Sequence, residues 1–334
     1  MRIAVLLEFS AILSIVYASA GDRAQEFQRC SFLCDNRECK GPSPTPLPLA
    51  LRITRWTCLD NCRYNCMHEI TSQSIAAGKQ PLQYYGKWPF VRVAGMQEPC
   101  SVLFSLLNLW VHIQGYSKIR RIIPRAHPLK GFYLIWSIAS MNTWIWSAVF
   151  HTRDTPLTEK LDYFSAALTI LTALYFTVIR FFHLYTPSTS ERASPARIIV
   201  LRIWTIICIL AFIGHILYLS LPPRFDYQYN IIFNLVLGLS HNALWLLYSL
   251  PASISLLKRF PNRPKSYRPR VAGRAALLVI LTTAATAFEL FDFPPWRKAL
   301  DAHALWHLAT APITSTWYHF LIMDASDPSW KEIR

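Results

Sequence analysis

Seven apolar segments of membrane-crossing length constrain this chain more than any other feature. They fall at roughly 100–117, 131–151, 159–179, 198–220, 229–250, 272–291 and 302–323 of 334 residues. A run of about 20 apolar residues spans the hydrocarbon core of a bilayer as a helix. The expected fold is therefore an all-α polytopic membrane protein, with a seven-transmembrane-helix bundle at residues 98–325. The formal net charge of +15 would suit a nucleic-acid binder, but the position of the cations excludes that partner. Lys118, Arg120, Arg121, Arg125 and Lys130 follow the first segment. Arg180, Arg192 and Arg197 follow the third, and Lys258, Arg259, Arg263, Lys265, Arg268 and Arg270 follow the fifth. The alternate loops, 152–158, 221–228 and 292–301, carry few. The positive-inside rule then puts the basic loops and the tail 326–334 in the cytosol, and the N-terminal residues in the lumen.

The N-terminus agrees with that orientation. Residues 1–20 have a basic Arg2, an apolar stretch Ala4–Val16 and the small-residue run Ala18-Ser19-Ala20, the pattern of a signal peptide. Residues 21–97 are polar, rich in Pro and without a long periodic pattern. They hold six of the eight cysteines: Cys30, Cys34, Cys39, Cys58, Cys62 and Cys66. Behind a signal peptide such a cluster implies a small disulfide-rich lumenal domain rather than a zinc site, because thiols oxidise in that compartment. Six cysteines allow about fifteen connectivities, and the spacing does not choose among them. Gly41–Pro48 reads as a loop, and no Asn-x-Ser/Thr acceptor occurs anywhere.

This topology sorts the histidines. His303 and His307 stand at i and i+4 on one helix face, in the first turns of the last segment. His151 closes the second segment at its lumenal end, with Ser147 one turn deeper, about 6 Å along the axis. Asp162 lies in the first turns of the third segment, which enters from the lumen. Ionisable groups inside a span are costly and mark function. Three imidazoles with an open fourth position are the donor set of a catalytic Zn2+ site, which activates water at neutral pH. Asp162 would act as general base and Ser147 as oxyanion donor. At the lumenal edge of a membrane, the natural substrate is a lipid ester or amide at the headgroup–acyl junction. The competing reading is a hydrogen-bonded interhelical network that only stabilises the bundle. His215 is a rival ligand, His241 reads as a core residue, and His112, His127, His183 and His319 as interfacial or packing residues.

The residues that carry this chemistry resemble a known family. Ser147-Ala-Val-Phe-His151-Thr-Arg-Asp, Leu157-Thr-Glu-Lys-Leu-Asp162-Tyr-Phe and His303-Ala-Leu-Trp-His307 are similar to the Per1-like family. So are Trp56-Thr-Cys58-Leu-Asp60-Asn-Cys62-Arg-Tyr64-Asn-Cys66-Met67 and Gly86-Lys-Trp88-Pro-Phe90. That family sits with alkaline ceramidases and adiponectin-receptor-like proteins in a superfamily of seven-span hydrolases, and the five site positions match its spacing. The resemblance implies zinc on His151, His303 and His307, with Ser147 and Asp162 beside it. It further implies phospholipase A2-type removal of the unsaturated sn-2 chain from GPI-anchored proteins, in the endoplasmic reticulum and/or Golgi membrane. The alternatives are a ceramidase-like amidase or esterase, which would lack the Cys-rich domain, and a non-enzymatic folding or receptor protein, which would need neither Ser147 nor Asp162.

Overall fold

The structure, a computed structural model, describes residues 19–41, 46–185, 194–222 and 225–333. Nearly all of the expected signal peptide, and the middle of the Gly41–Pro48 loop, lie outside the described residues. The chain is helical throughout, and among the described residues only isolated bridges pair extended segments. It divides into two compact units. One gathers the residues up to Cys100 with His151–Arg153 and Phe293–Asp301; the other holds Ser101–Phe150, Asp154–Asp292 and Ala302–Arg334.

In the first unit, α1 (Gln25–Cys34) continues into a π-helical turn, Asp35–Cys39, and packs on α2 (Cys58–Ala76). Three disulfides join them as a ladder: Cys30–Cys66, Cys34–Cys62 and Cys39–Cys58, with Cα–Cα distances of 5.8, 5.6 and 5.7 Å. The cysteines of α2 recur every four residues, whereas Cys34 and Cys39 are five apart. The π turn closes Lys40 N onto Asp35 O, five residues back, and so absorbs the extra residue and keeps Cys39 on the α2-facing side. Sequence periodicity offered no long helix in this region, yet α2 runs for 19 residues. Its face is defined by cysteines rather than an apolar stripe. Its start is fixed by a capping box in which Thr57 and Asp60 satisfy each other's backbone N–H. Phe27 and Tyr84 fill the space beside the ladder. Gly95 has φ +84°, and a Cβ there would lie 2.4 Å from Thr54 Oγ1, so only glycine fits.

Among the described residues, a long helix appears at each apolar segment: α3 (Pro99–Ile122), α4 (Lys130–Thr152), α5 (Pro156–Phe181), α6 (Pro195–Ser220), α7 (Tyr227–Ser249), α8 (Ala272–Leu290) and α9 (Ala302–Ala325). Local sequence sets their starts. Thr155 caps α5 with Pro156 in its first turn, Ser194 caps α6 with Pro195 in the same position, and Asp226 accepts from Tyr229 N at α7. Four of them, α5, α6, α7 and most of α8, are long and apolar enough to cross a membrane. The hydropathy of the other three is lowered by buried polar residues: Ser101, Ser105, Asn108 and His112 on α3, Ser137, Ser140 and Ser147 on α4, His307 and Asp324 on α9. α6 exposes Ile199, Ile203, Ile206, Leu210, Ile213 and Leu217, a face suited to lipid rather than water.

Within the second unit α5 packs on α6 and α7, α7 on α8, and α8 on α9. The end of this unit that holds the C-terminus of α9 is locked by an ion pair with no solvent exposure. Arg180 donates through Nε and Nη2 to Asp324 at 3.1 Å each, Tyr248 Oη donates to the same carboxylate at 2.6 Å, and Arg180 Nη1 donates to Arg259 O at 2.6 Å. Residues 328–333 form a 3₁₀ turn that folds Trp330 into this core, its Nε1 donating to Asp324 O at 2.8 Å.

A candidate metal centre

In the second unit, three helices bring polar side chains together. His307, one turn into α9, is 1 % exposed, and its Nδ1 lies 3.0 Å from Ser105 Oγ on α3. Ser105 Oγ lies 3.0 Å from Ser147 Oγ on α4 and donates its own proton to Ser101 O at 2.7 Å. Asn108, one turn along α3, donates to His307 O at 2.7 Å and fixes the height of α9. The indoles of Trp144 and Trp306 each stand 5.1 Å from the His307 ring.

These contacts determine the tautomers. Since the Ser105 proton is engaged by Ser101 O, Ser105 accepts from His307 Nδ1–H, and His307 Nε2 carries a lone pair. His303, one turn earlier, places Nδ1 2.7 Å from Glu289 Oε2 at the end of α8. A carboxylate only accepts, so His303 Nδ1 holds a proton, and in the neutral ring its Nε2 carries a lone pair. The two Nε2 atoms face each other at 3.0 Å. With both rings neutral and protonated at Nδ1, two lone pairs meet there, and a proton or a metal ion held by both relieves their repulsion. The donor set fits a borderline-soft divalent ion such as zinc, and the outward-facing acceptors are the ones that orient metal-binding imidazoles.

The first unit treats His151 in the same way. Its Nδ1 lies 2.8 Å from Glu98 Oε2, which puts the proton of the neutral ring on Nδ1 and the lone pair on Nε2. The other Glu98 oxygen pairs with Lys87 Nζ. Burial pulls the Glu98 carboxyl upward, and Lys87 together with His151 more than offsets it, holding the group well below the usual carboxylate range.

Asp162 is half-buried in the second turn of α5, where its backbone carbonyl accepts from Ser165 Oγ at 2.9 Å. The rival His215 is buried on α6, stacked on Phe233 at 4.1 Å with Tyr229 and Phe164 around it, and neither ring nitrogen has a hydrogen-bond partner among the described residues. His241 accepts from Trp245 Nε1 at 3.1 Å, and His112 pairs with Tyr318 Oη at 2.8 Å, both core roles. The sequence reading missed Ser105, Asn108, Glu98 and Glu289. Glu289 carried a signal, being the one acid within the apolar segment 272–291. Ser105 carried a weaker one: with Ser101 and Asn108 it makes a polar stripe at helical spacing.

The chain is similar to known proteins over most of its length. The model of the Per1-like family matches residues 48–325. "Protein PER1 homolog" of Schizosaccharomyces pombe is 44% identical over 317 residues, covering 93% of this chain and 88% of that protein. "GPI-specific phospholipase A2-like PGAP3" of Xenopus tropicalis is 36% identical over 318 residues, covering 94% and 93%. "Post-GPI attachment to proteins factor 3" of Drosophila melanogaster is 36% identical over 324 residues, covering 94% and 92%.

Proposed function

The chain belongs to the Per1-like family, and from that premise we propose that it is a zinc-dependent lipid hydrolase of phospholipase A2 type. Its substrate would be the GPI lipid of anchored proteins, with the sn-2 acyl ester cleaved at the lumenal face of an endoplasmic reticulum or Golgi membrane. The names of the relatives support the GPI-remodelling role, since they place those proteins after GPI attachment or call them GPI-specific and phospholipase A2-like.

The observation that carries the reading is the pair of Nε2 atoms 3.0 Å apart on His303 and His307, each imidazole with an oxygen within hydrogen-bond distance of Nδ1. His303, His307 and His151 would hold the ion. Zinc, when bound, supplies Lewis acidity and lowers the pKa of water towards neutrality. The remaining chemistry belongs to side chains. Asp162 takes the proton from the attacking water as general base. Ser147, 3.0 Å from Ser105 Oγ, would turn its hydroxyl from Ser105 to donate to the oxygen on which charge develops in the ester. Trp144 and Trp306 cover the His307 imidazole. The test is mass spectrometry of GPI lipids from cells with and without the protein. Retention of unsaturated sn-2 chains in its absence supports the reading, and unchanged acyl composition overturns it.

A further inference from the structure

We infer that the Cys-rich unit serves His151, one of the proposed metal ligands. It holds His151 in the orientation and tautomer a metal requires, with Glu98 as the positioning residue. The inference rests on the zinc reading above and assigns a task to residues 21–97 and Glu98 that their lumenal location does not by itself imply.

The end of α4 is built into the first unit by backbone, side-chain and ionic contacts. A helix leaves its last carbonyls without internal partners. Here His151 O and Thr152 O accept from Glu98 N and Gln97 N, both at 3.0 Å, so the segment leading into α3 caps the end of α4. The same residue that caps the backbone also holds the ring: Glu98, 4 % exposed, accepts from His151 Nδ1–H at 2.8 Å. A buried carboxylate needs compensation, and Lys87 supplies it from a turn that bridges Tyr84 and Lys87. One residue on, Arg153 Nη2 donates to Asp60 Oδ2 at 2.7 Å, and its guanidinium lies 4.2 Å from the Trp56 ring centroid. Asp60 is at the same time the capping acid of α2, two residues after Cys58, which the disulfide to Cys39 fixes. Arg92 braces the arrangement between Tyr64 and Trp56, with Nη2 on Asn61 Oδ1 at 2.6 Å.

The chain of contacts therefore runs from the disulfide ladder through Asp60 to Arg153, and from Lys87 through Glu98 to the imidazole. Glu289 does the equivalent task for His303 from a looser position: the His303 and Glu289 side chains are 33 % and 41 % exposed, against 3 % and 5 % for His151 and Glu98. Of the two carboxylates, Glu98 is the one whose partner has no freedom to turn.

The experiment measures zinc affinity of the purified full chain by competition with graded chelators, below the melting midpoint of each metal-free variant. The cobalt-substituted protein is followed by visible absorption, which reads ligand geometry. Glu98→Ala should weaken zinc by about 10–100-fold, the usual effect of removing such a partner, with Glu98→Gln losing less and both shifting the cobalt bands. Asp60→Asn should weaken zinc in the same direction by a smaller factor. Asp35→Asn, which breaks only the solvent-facing pair with Lys40 in the same unit, should leave affinity unchanged. If Glu98→Ala does not fold, the isosteric Glu98→Gln decides. Wild-type affinity and cobalt spectrum in the Glu98 variants would overturn the inference while leaving the zinc reading intact. A wild-type chain with no zinc affinity would overturn both.

Discussion

Replacing Ser105 with alanine separates the tautomer argument from generic packing. The Ser105 hydroxyl makes three contacts: it donates to Ser101 O at 2.7 Å and accepts from Ser147 Oγ and His307 Nδ1, both at 3.0 Å. Its loss leaves a buried N–H on His307 without an acceptor, a cost of about 1–3 kcal/mol. The imidazole avoids that cost by moving its proton to Nε2, where it blocks the lone pair a metal needs. Holding the binding tautomer then costs the same about 1–3 kcal/mol, which weakens zinc by about 5–150-fold. The metal-free fold should lose about 1 kcal/mol or less, the net worth of one hydrogen bond, because the tautomer change and a turn of the Ser147 hydroxyl relieve the unpaired groups. Ser101→Ala is the control on the same helix face: the Ser101 hydroxyl is buried without a partner among the described residues, so its removal should leave affinity unchanged and the melting temperature equal or higher. Zinc competition and detergent melting on both variants give the answer. Wild-type zinc affinity in Ser105→Ala, or equal damage from Ser101→Ala, would refute the reasoning.

Asp324→Ala strips a buried guanidinium of its bidentate partner and of the Tyr248 contact; the expected loss is about 3–5 kcal/mol, read as a large fall in detergent melting temperature at unchanged zinc stoichiometry if the protein can be isolated. Gly115→Ala places a Cβ 2.3 Å from the Tyr318 ring, so thermal melting should show about 1–3 kcal/mol of destabilisation, while Gly131→Ala, with open space around it, should not. Asp162→Asn should keep zinc and fold yet lose about 10²–10⁴ in the rate of GPI acyl removal, whereas near-wild-type remodelling would mean another base.

The architecture was legible because lipid solvent imposes length and polarity on sequence directly. The seven apolar segments coincide with α3 to α9, and the basic loops marked their ends. Disulfide order was not legible, because it depends on a π turn that no composition or spacing announces. The site divides along the same line. His303, His307 and Ser147 could be found from helical spacing, since i and i+4 share a face. Ser105 could not, because its role comes from tertiary packing of α3 on α4 and α9, and a serine in an apolar helix ordinarily bonds its own backbone. Glu98 lay at the edge of a span, where an acid attracts no notice, and only the cap on α4 shows why it is there. The residues after 325 read as a tail by charge, but Trp330 packs into the core because Asp324 O accepts from its indole.

Zinc content of the purified full chain, measured by elemental mass spectrometry beside the His307→Ala variant and the triple variant of His151, His303 and His307 to alanine, tests the central claim most directly. The account predicts about one zinc per wild-type chain and none in either variant. Full occupancy in the triple variant, or a wild-type chain that takes up no zinc when it is supplied, would contradict it.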